Sequence, residues 1–172
     1  MDAAAELRAL LLEKIRGTDN GVALNAIRAL RAVDGSVILR AESLIRADLR
    51  EANLASADLR EAVLIWASLY GANLTHANMQ GAVLFRANLR DANLIGANLQ
   101  RAYLLKADFR NADLHQANFD EGTTLPDGRC WTPSIDVTCY SDPRHPRFWA
   151  VDDPALPPRG SLPSWLRNDL VQ

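Results

Sequence analysis

Proline is missing from the first 125 residues of this chain; all eight prolines fall at position 126 or later. Aromatic residues make up only 6%, and the two cysteines, Cys130 and Cys139, are both late. Two thiols are too few for a disulfide framework and are expected to stay free in a reducing compartment. Neither sign of charge dominates: 19 basic against 21 acidic residues leave a net charge of −2. No bulk field therefore recruits nucleic acid or a membrane surface. No apolar run approaches the length that spans a bilayer. The N-terminal MDAAAELRALLLEKIRG carries charge within its apolar stretch and lacks a basic lead or a cleavage site, so it does not read as a signal peptide and the protein is expected to be cytoplasmic. Catalytic signatures are missing too: there is no GxSxG, HExxH, CxxC or phosphate-cradling glycine loop. What remains is 172 residues with 48% apolar and 23% charged side chains, a composition that folds.

What the sequence does have is a repeat. From Ala47 to Ala117 alanine recurs every five residues, and two places after each alanine stands Leu, or Met79, Phe109 or Phe119. The residue between them is usually Asn, Asp or Ser. Five residues advance an α-helix by about 500°, which scatters the leucines around the axis. On a strand an odd period alternates their faces. The pattern is satisfied if the chain bends at every repeat and keeps Ala and Leu on one enclosed axis, which is a solenoid. A second period sets the number of sides. Val63, Val83 and Tyr103, and likewise Ile45, Ile65, Phe85 and Leu105, break the polar outer pattern at intervals of twenty residues. Four segments per coil make a square cross-section.

ADLRE at 47–51, ANLTH at 72–76 and ANLRD at 87–91 resemble the A(N/D)LXX motif of the pentapeptide-repeat family. The resemblance implies an all-β solenoid, a right-handed quadrilateral β-helix; the hand comes from the family and not from the spacing. Segments 18–36, 124–133 and 142–149 are similar to those bracketing such repeats in bacterial members, which mostly lack an assigned activity. Some relatives protect topoisomerases by mimicking DNA.

Three regions follow: a helical cap at 1–36, the β-helix at 37–126 and a Pro/Trp-rich irregular tail at 127–172. Two amphipathic helices are expected at Ala3–Arg16 and Val22–Val33, the first burying Leu7, Leu10, Leu11 and Ile15, the second Val22, Ala26, Ala29 and Leu30. Asp19 or Thr18 is placed to cap the second. Glu42 stands where Ala belongs, marking the edge of the regular stack, and Gly71, Gly81 and Gly96 occupy corners.

On the first face, Asp48, Arg50, Glu51, Arg90, Asp91, Asp108 and Arg110 are expected to pair between coils. The fourth face differs. Ile45, Val63, Ile65, Trp66, Val83, Phe85, Tyr103 and Leu105 lie beside Arg46, Arg86 and Lys106, with no acidic residue. Trp66 is spaced for cation–π contact with Arg46 or Arg86. A bare patch of this kind is large for a soluble monomer, so something covers it. The tail after Gly128 is expected to fold back over Val63, Ile65, Phe85 and Leu105, with Asp142, Asp152 and Asp153 meeting Arg86 and Lys106, because it lacks the periodicity for a core of its own. The alternative is that the tail caps the last coil and the patch is a dimer or partner interface. His76, His115 and His145 read as surface residues. The expected function is a non-enzymatic protein-interaction or scaffold module, monomeric or dimeric, with an unidentified protein partner and no cofactor, small-molecule substrate, nucleic acid or membrane. The alternative is a DNA-mimic modulator of gyrase.

Overall fold

A computed structural model describes residues 3–149. Helices α1 (Ala3–Arg16) and α2 (Asn20–Asp34) lead into a stack of coils paired by parallel bridges between residues twenty apart, from Ile38↔Asp58 to Asn98↔Asn118. At each corner the N–H of the alanine position bonds back three residues, as Ala47 N–H does to the Leu44 carbonyl (3.1 Å). The residue before that alanine has φ near +60°, the signature of a type II turn. Thirteen non-glycine residues hold this left-handed conformation among the described residues, against three corner glycines, Gly71, Gly81 and Gly96. The corner is therefore imposed by the inner register and not by glycine.

The expected all-β character needs correction. Among the described residues no extended strand forms; each side of the square contributes a single bridge residue between two turns. Five residues per side leave room for no more once the corner has been made. The interior follows the sequence closely: the five-spaced alanines from Ala47 to Ala107 and the large residues from Leu44 to Leu104 are at most 1% exposed. Each buried Leu contributes about 1.5–3 kcal/mol of gross transfer free energy. Val37 and Leu39, both fully buried, take the Ala and Leu sites of the first coil. Glu42 keeps its backbone in the ladder, accepting Val63 N–H at 2.9 Å, and turns its carboxylate outward to the Arg16 guanidinium.

The N-terminal end is closed by polar reach. Arg8 donates to the Ile38 carbonyl, Asn20 to those of Asp48 and Arg50, and Arg31 to those of Asn53 and Ala55, while Asp48 N–H donates to the Gly17 carbonyl. Asp19 caps α2 through Val22 N–H at 3.1 Å, and Gly35 ends it at φ +69°. The buried residues are Leu11 and Ile15 on α1 and Ala23, Ala26, Ile27 and Leu30 on α2, so Leu7, Leu10 and Val22, expected inside, lie more than 40% exposed. The short cap needs only one narrow stripe, and i, i+3, i+4, i+7 from Ala23 supplies it.

The last coil gains one residue, shifting the final parallel bridge to Tyr103↔Thr124, after which Thr124 pairs antiparallel with Cys130. Thr123 takes the alanine site, fully buried, and its hydroxyl donates to the Leu99 carbonyl at 2.9 Å. The 3₁₀ turn Val137–Tyr140 then closes this end. Leu125, Cys139 and Tyr140 pack with Phe119, Trp131, Ile135 and Trp149, and Phe119 stacks on Trp131 at 6.3 Å. The tail therefore does share a small core, built jointly with the last coil, and as far as Trp149 it plugs the coil end instead of running over the fourth face. Asp142 pairs with Arg144 and not with Arg86 or Lys106. Asp152 and Asp153 lie outside the described residues.

Candidate interaction face

On three sides of the square the residue ahead of the inward Leu is mostly Asn or Asp and performs a local task. Asn and Asp side chains accept the N–H two residues on, as Asn73 does from Thr75 (3.1 Å), Asn93 from Ile95 (3.0 Å) and Asp113 from His115 (2.9 Å). That amide points out of the coil ladder, so a short side-chain acceptor satisfies it. On the fourth side the same site holds Val63, Val83 and Tyr103, which offer no such acceptor. Among the described residues the N–H groups of Ile65, Phe85 and Leu105 accordingly have no hydrogen-bond acceptor.

The ten residues expected on this face do lie on one side, but in two environments. Ile65, Val83, Phe85, Tyr103 and Leu105 form a buried cluster, 3–9% exposed, with Val63 packed against it. Burial raises the Tyr103 phenol above its usual range. Ile45 and Trp66 remain 43% and 42% exposed, and Arg46 and Arg86 are exposed beside them. Of the two arginines expected near Trp66, Arg86 makes the contact: its guanidinium carbon lies 4.6 Å from the Trp66 ring centroid. Phe85 meets Trp66 edge-on at 6.3 Å. The indole of the second coil thus packs against a cation and a buried ring of the third. The cap leaves the fourth side of the first coil open: among the described residues the carbonyls of Ser43 and Ile45 have no hydrogen-bond donor.

The charged faces are wired differently from the expectation. Most pairs form within one repeat through an Asp-x-Arg pattern, Asp48–Arg50 at 2.7 Å and Asp58–Arg60 at 2.5 Å, while Arg40–Glu61 at 3.6 Å joins two coils. Asp108–Arg110, Asp127–Arg129 and Asp142–Arg144 repeat it. Hydrogen bonds from the guanidinium groups hold the Asp48 and Asp58 carboxyls below their usual range. An array of acids imitating phosphates would need unpaired carboxylates in columns, and these are paired.

One constellation escaped the sequence reading. Asp127, Arg129, Asp136, Cys139 and His145 line a cleft beside the plug. His145 Nε2 lies 3.3 Å from Asp136, which suggests a thiol–imidazole–carboxylate set, but the chemistry fails. His145 Nδ1 accepts Arg147 N–H at 3.0 Å, so both ring nitrogens are engaged. Burial raises the Cys139 thiol, the opposite of what a nucleophile needs. The Tyr140 hydroxyl donates to Asp127 at 2.8 Å and accepts from Arg129 at 3.0 Å, and burial lifts its pKa; the group braces the plug. Both cysteines are free thiols, and no cluster able to hold a metal occurs among the described residues. No helix among the described residues is long and apolar enough to cross a membrane.

A stack of four-cornered coils with a narrow Ala/Leu interior defines a solenoid repeat protein. Residues 47–84 and 87–121 match pentapeptide repeats, in eight copies, and through them the chain is similar to that family. No curated protein matches it. Among solved structures, a pentapeptide repeat protein from the cyanobacterium Cyanothece 51142 is 34% identical over 51% of this chain and 63% of its own, with a TM-score of 0.37. This chain thus covers less than two thirds of that relative. A pentapeptide repeat protein from the Arabidopsis thaliana thylakoid lumen is 28% identical over 60% of this chain and 68% of its own, TM-score 0.42. HetL of Nostoc sp. strain PCC 7120, described as involved in heterocyst differentiation regulation, is 28% identical over 55% and 64%, TM-score 0.23.

Proposed function

We propose that the protein is a non-enzymatic interaction module that docks a protein partner through the Trp66 corner. The reading takes the coil as right-handed, the hand implied by the family, and the compartment as the cytoplasm, where both thiols stay reduced. One observation carries it. Trp66 is an exposed indole immobilised by Arg86 and Phe85, flanked by exposed Ile45 and Arg46. Trp and Arg are enriched at binding hot spots, and a side chain ordered before binding loses less entropy when it docks. A rigid stack presents such a residue already ordered. The open Ser43–Ile45 edge beside it adds two backbone acceptors, which suits an extended partner segment bearing an acidic group for Arg46.

The test compares captures from the native host by wild type, Trp66→Ala and Asn93→Ala. A species held by wild type and Asn93→Ala but lost with Trp66→Ala, at unchanged circular dichroism, supports the reading. Identical captures by all three contradict it. The gyrase alternative predicts inhibition of supercoiling; the paired Asp-x-Arg carboxylates predict none.

A further inference from the structure

We propose that the partner segment is an extended peptide that joins the first coil as a further parallel strand along Ser43–Ile45, carrying an apolar residue followed by Asp or Glu. The inference rests on the docking role proposed above and names the chemistry of the segment that fills it. The ladder shows the pattern such a strand must meet. On the fourth side Val63 N–H donates to the Glu42 carbonyl at 2.9 Å, and the Val63 carbonyl accepts Leu44 N–H at 2.8 Å. The Ile65 carbonyl accepts Arg46 N–H at 2.8 Å, and Val83 and Phe85 repeat these bonds one coil later. Ser43 and Ile45 hold the same positions in the first coil, with no coil before them.

The cap treats the four sides of that coil unequally. On the first side Asp48 N–H and the Asp48 and Arg50 carbonyls are all bonded, to Gly17 and Asn20. On the second side Arg31 takes the Asn53 and Ala55 carbonyls, and on the third Arg8 takes that of Ile38. On the fourth side Ser43 N–H, the Ser43 carbonyl and the Ile45 carbonyl all lack a partner among the described residues. Arg16 reaches the Glu42 carboxylate and leaves this backbone alone. Ser43 and Ile45 are both exposed. One donor and two acceptors on an exposed edge are what an added strand pairs with.

Register then assigns side chains. Continued by one coil, the ladder sets the first residue of the added segment to offer its carbonyl to Ser43 N–H. The third gives its N–H to the Ser43 carbonyl and the fifth to the Ile45 carbonyl, so neither is proline. The fourth residue stands over Ile45, 43% exposed at the open end of the Ile65–Phe85–Leu105 column, and an apolar side chain there covers it. The fifth stands over Arg46, which is exposed and makes no ion pair among the described residues. A carboxylate at that place supplies the missing partner.

Phage-displayed random peptides selected on the full-length protein test the assignment. We expect enrichment of an apolar residue followed by Asp or Glu, and a switch from acid to Lys or Arg in selections on Arg46→Glu. Glu51 and Glu61 already hold the same corner conformation, so that variant keeps the turn. Failure to enrich such a pair overturns the proposal. The enriched peptide, made synthetically, gives two further readouts that need no protein variant. Replacing the amide of its fifth residue by an ester, which removes the N–H, should weaken binding at least fivefold. At saturation it should slow hydrogen exchange at Ser43 N–H at least tenfold and leave Asn53 N–H, unpaired on the second side, unchanged. Binding that falls with Trp66→Ala but ignores the ester and leaves Ser43 exchange unchanged overturns strand addition and keeps the Trp66 reading. Ser43 protection that survives Trp66→Ala supports strand addition and removes Trp66 from the contact.

Discussion

The second and fourth sides of the stack share a backbone, a turn type and an interior, yet differ in everything a partner meets. Asn73 and Asn93 on the second side each satisfy a neighbouring amide and leave a polar wall. The fourth side replaces such residues with Val63, Val83 and Tyr103, gives up those hydrogen bonds and buries an apolar cluster. The inner register therefore specifies the fold, and departures from the repeat on the outside specify what each side presents. Losing an Asx acceptor is unfavourable unless water or another group satisfies the amide.

The comparison between inside and outside breaks most sharply at the core. Ala82, fully buried beneath the fourth side, should tolerate no enlargement: Ala82→Leu is expected to destabilise by about 1–3 kcal/mol or more, and Asn93→Ala on the second side by less than about 1 kcal/mol. Thermal unfolding followed by circular dichroism reads both, and equal losses would sink the four-sided register. Between the two outer walls the effect is smaller. Phe85→Ala should cost about 1.5–3 kcal/mol in urea unfolding, the transfer free energy of a buried ring, and Ile95→Ala clearly less, because Phe85 is 7% exposed and Ile95 only half-buried.

Acid sharpens a third contrast, between the apolar wall and the paired ones. Asp48 and Asp58 titrate below their usual range because Arg50 and Arg60 hydrogen-bond the charged forms. Their contribution is fully present above the ordinary carboxylate pKa and is lost as the pH falls through the depressed folded values. Stability should therefore decline below about pH 4, and less steeply in Asp48→Asn, Asp58→Asn, as measured by urea midpoints at successive pH values. The smallest effect is expected at Arg86. Arg86→Ala removes one exposed cation–π contact, about 0.5–1 kcal/mol, and should change Trp66 emission more than the melting temperature.

The coil was legible because its signal is redundant: alanines at one phase and large apolar residues two places on over-determine the corner and the interior. That phase puts the next alanine site after Ala117 on Gly122, yet Thr123 fills it. One residue is inserted between Asn118 and Thr124, and only the Tyr103↔Thr124 pairing reveals how the ladder absorbs it. The apolar fourth side was also readable as a twenty-residue echo, but its division was not. Nothing in the one-dimensional pattern says that Ile65 is buried and Ile45 open, since both occupy the same repeat site. The Asp-x-Arg pairs were misread as contacts between coils, although each carboxylate already has a guanidinium two residues away. The terminal plug had no periodic signal at all. Trp131, Ile135 and Tyr140 converge through irregular turns held by bonds such as Asn111 N–H to the Ser141 carbonyl at 2.7 Å.

Hydroxyl-radical footprinting of the intact protein measures the central contrast most directly, because it reports side-chain access residue by residue. The account predicts rapid oxidation at Trp66 and Tyr70, protection of Phe85 and Tyr103, and loss of that difference on unfolding. Phe85 and Tyr103 labelled in the native protein as fast as Tyr70, after correction for intrinsic reactivity, would contradict it.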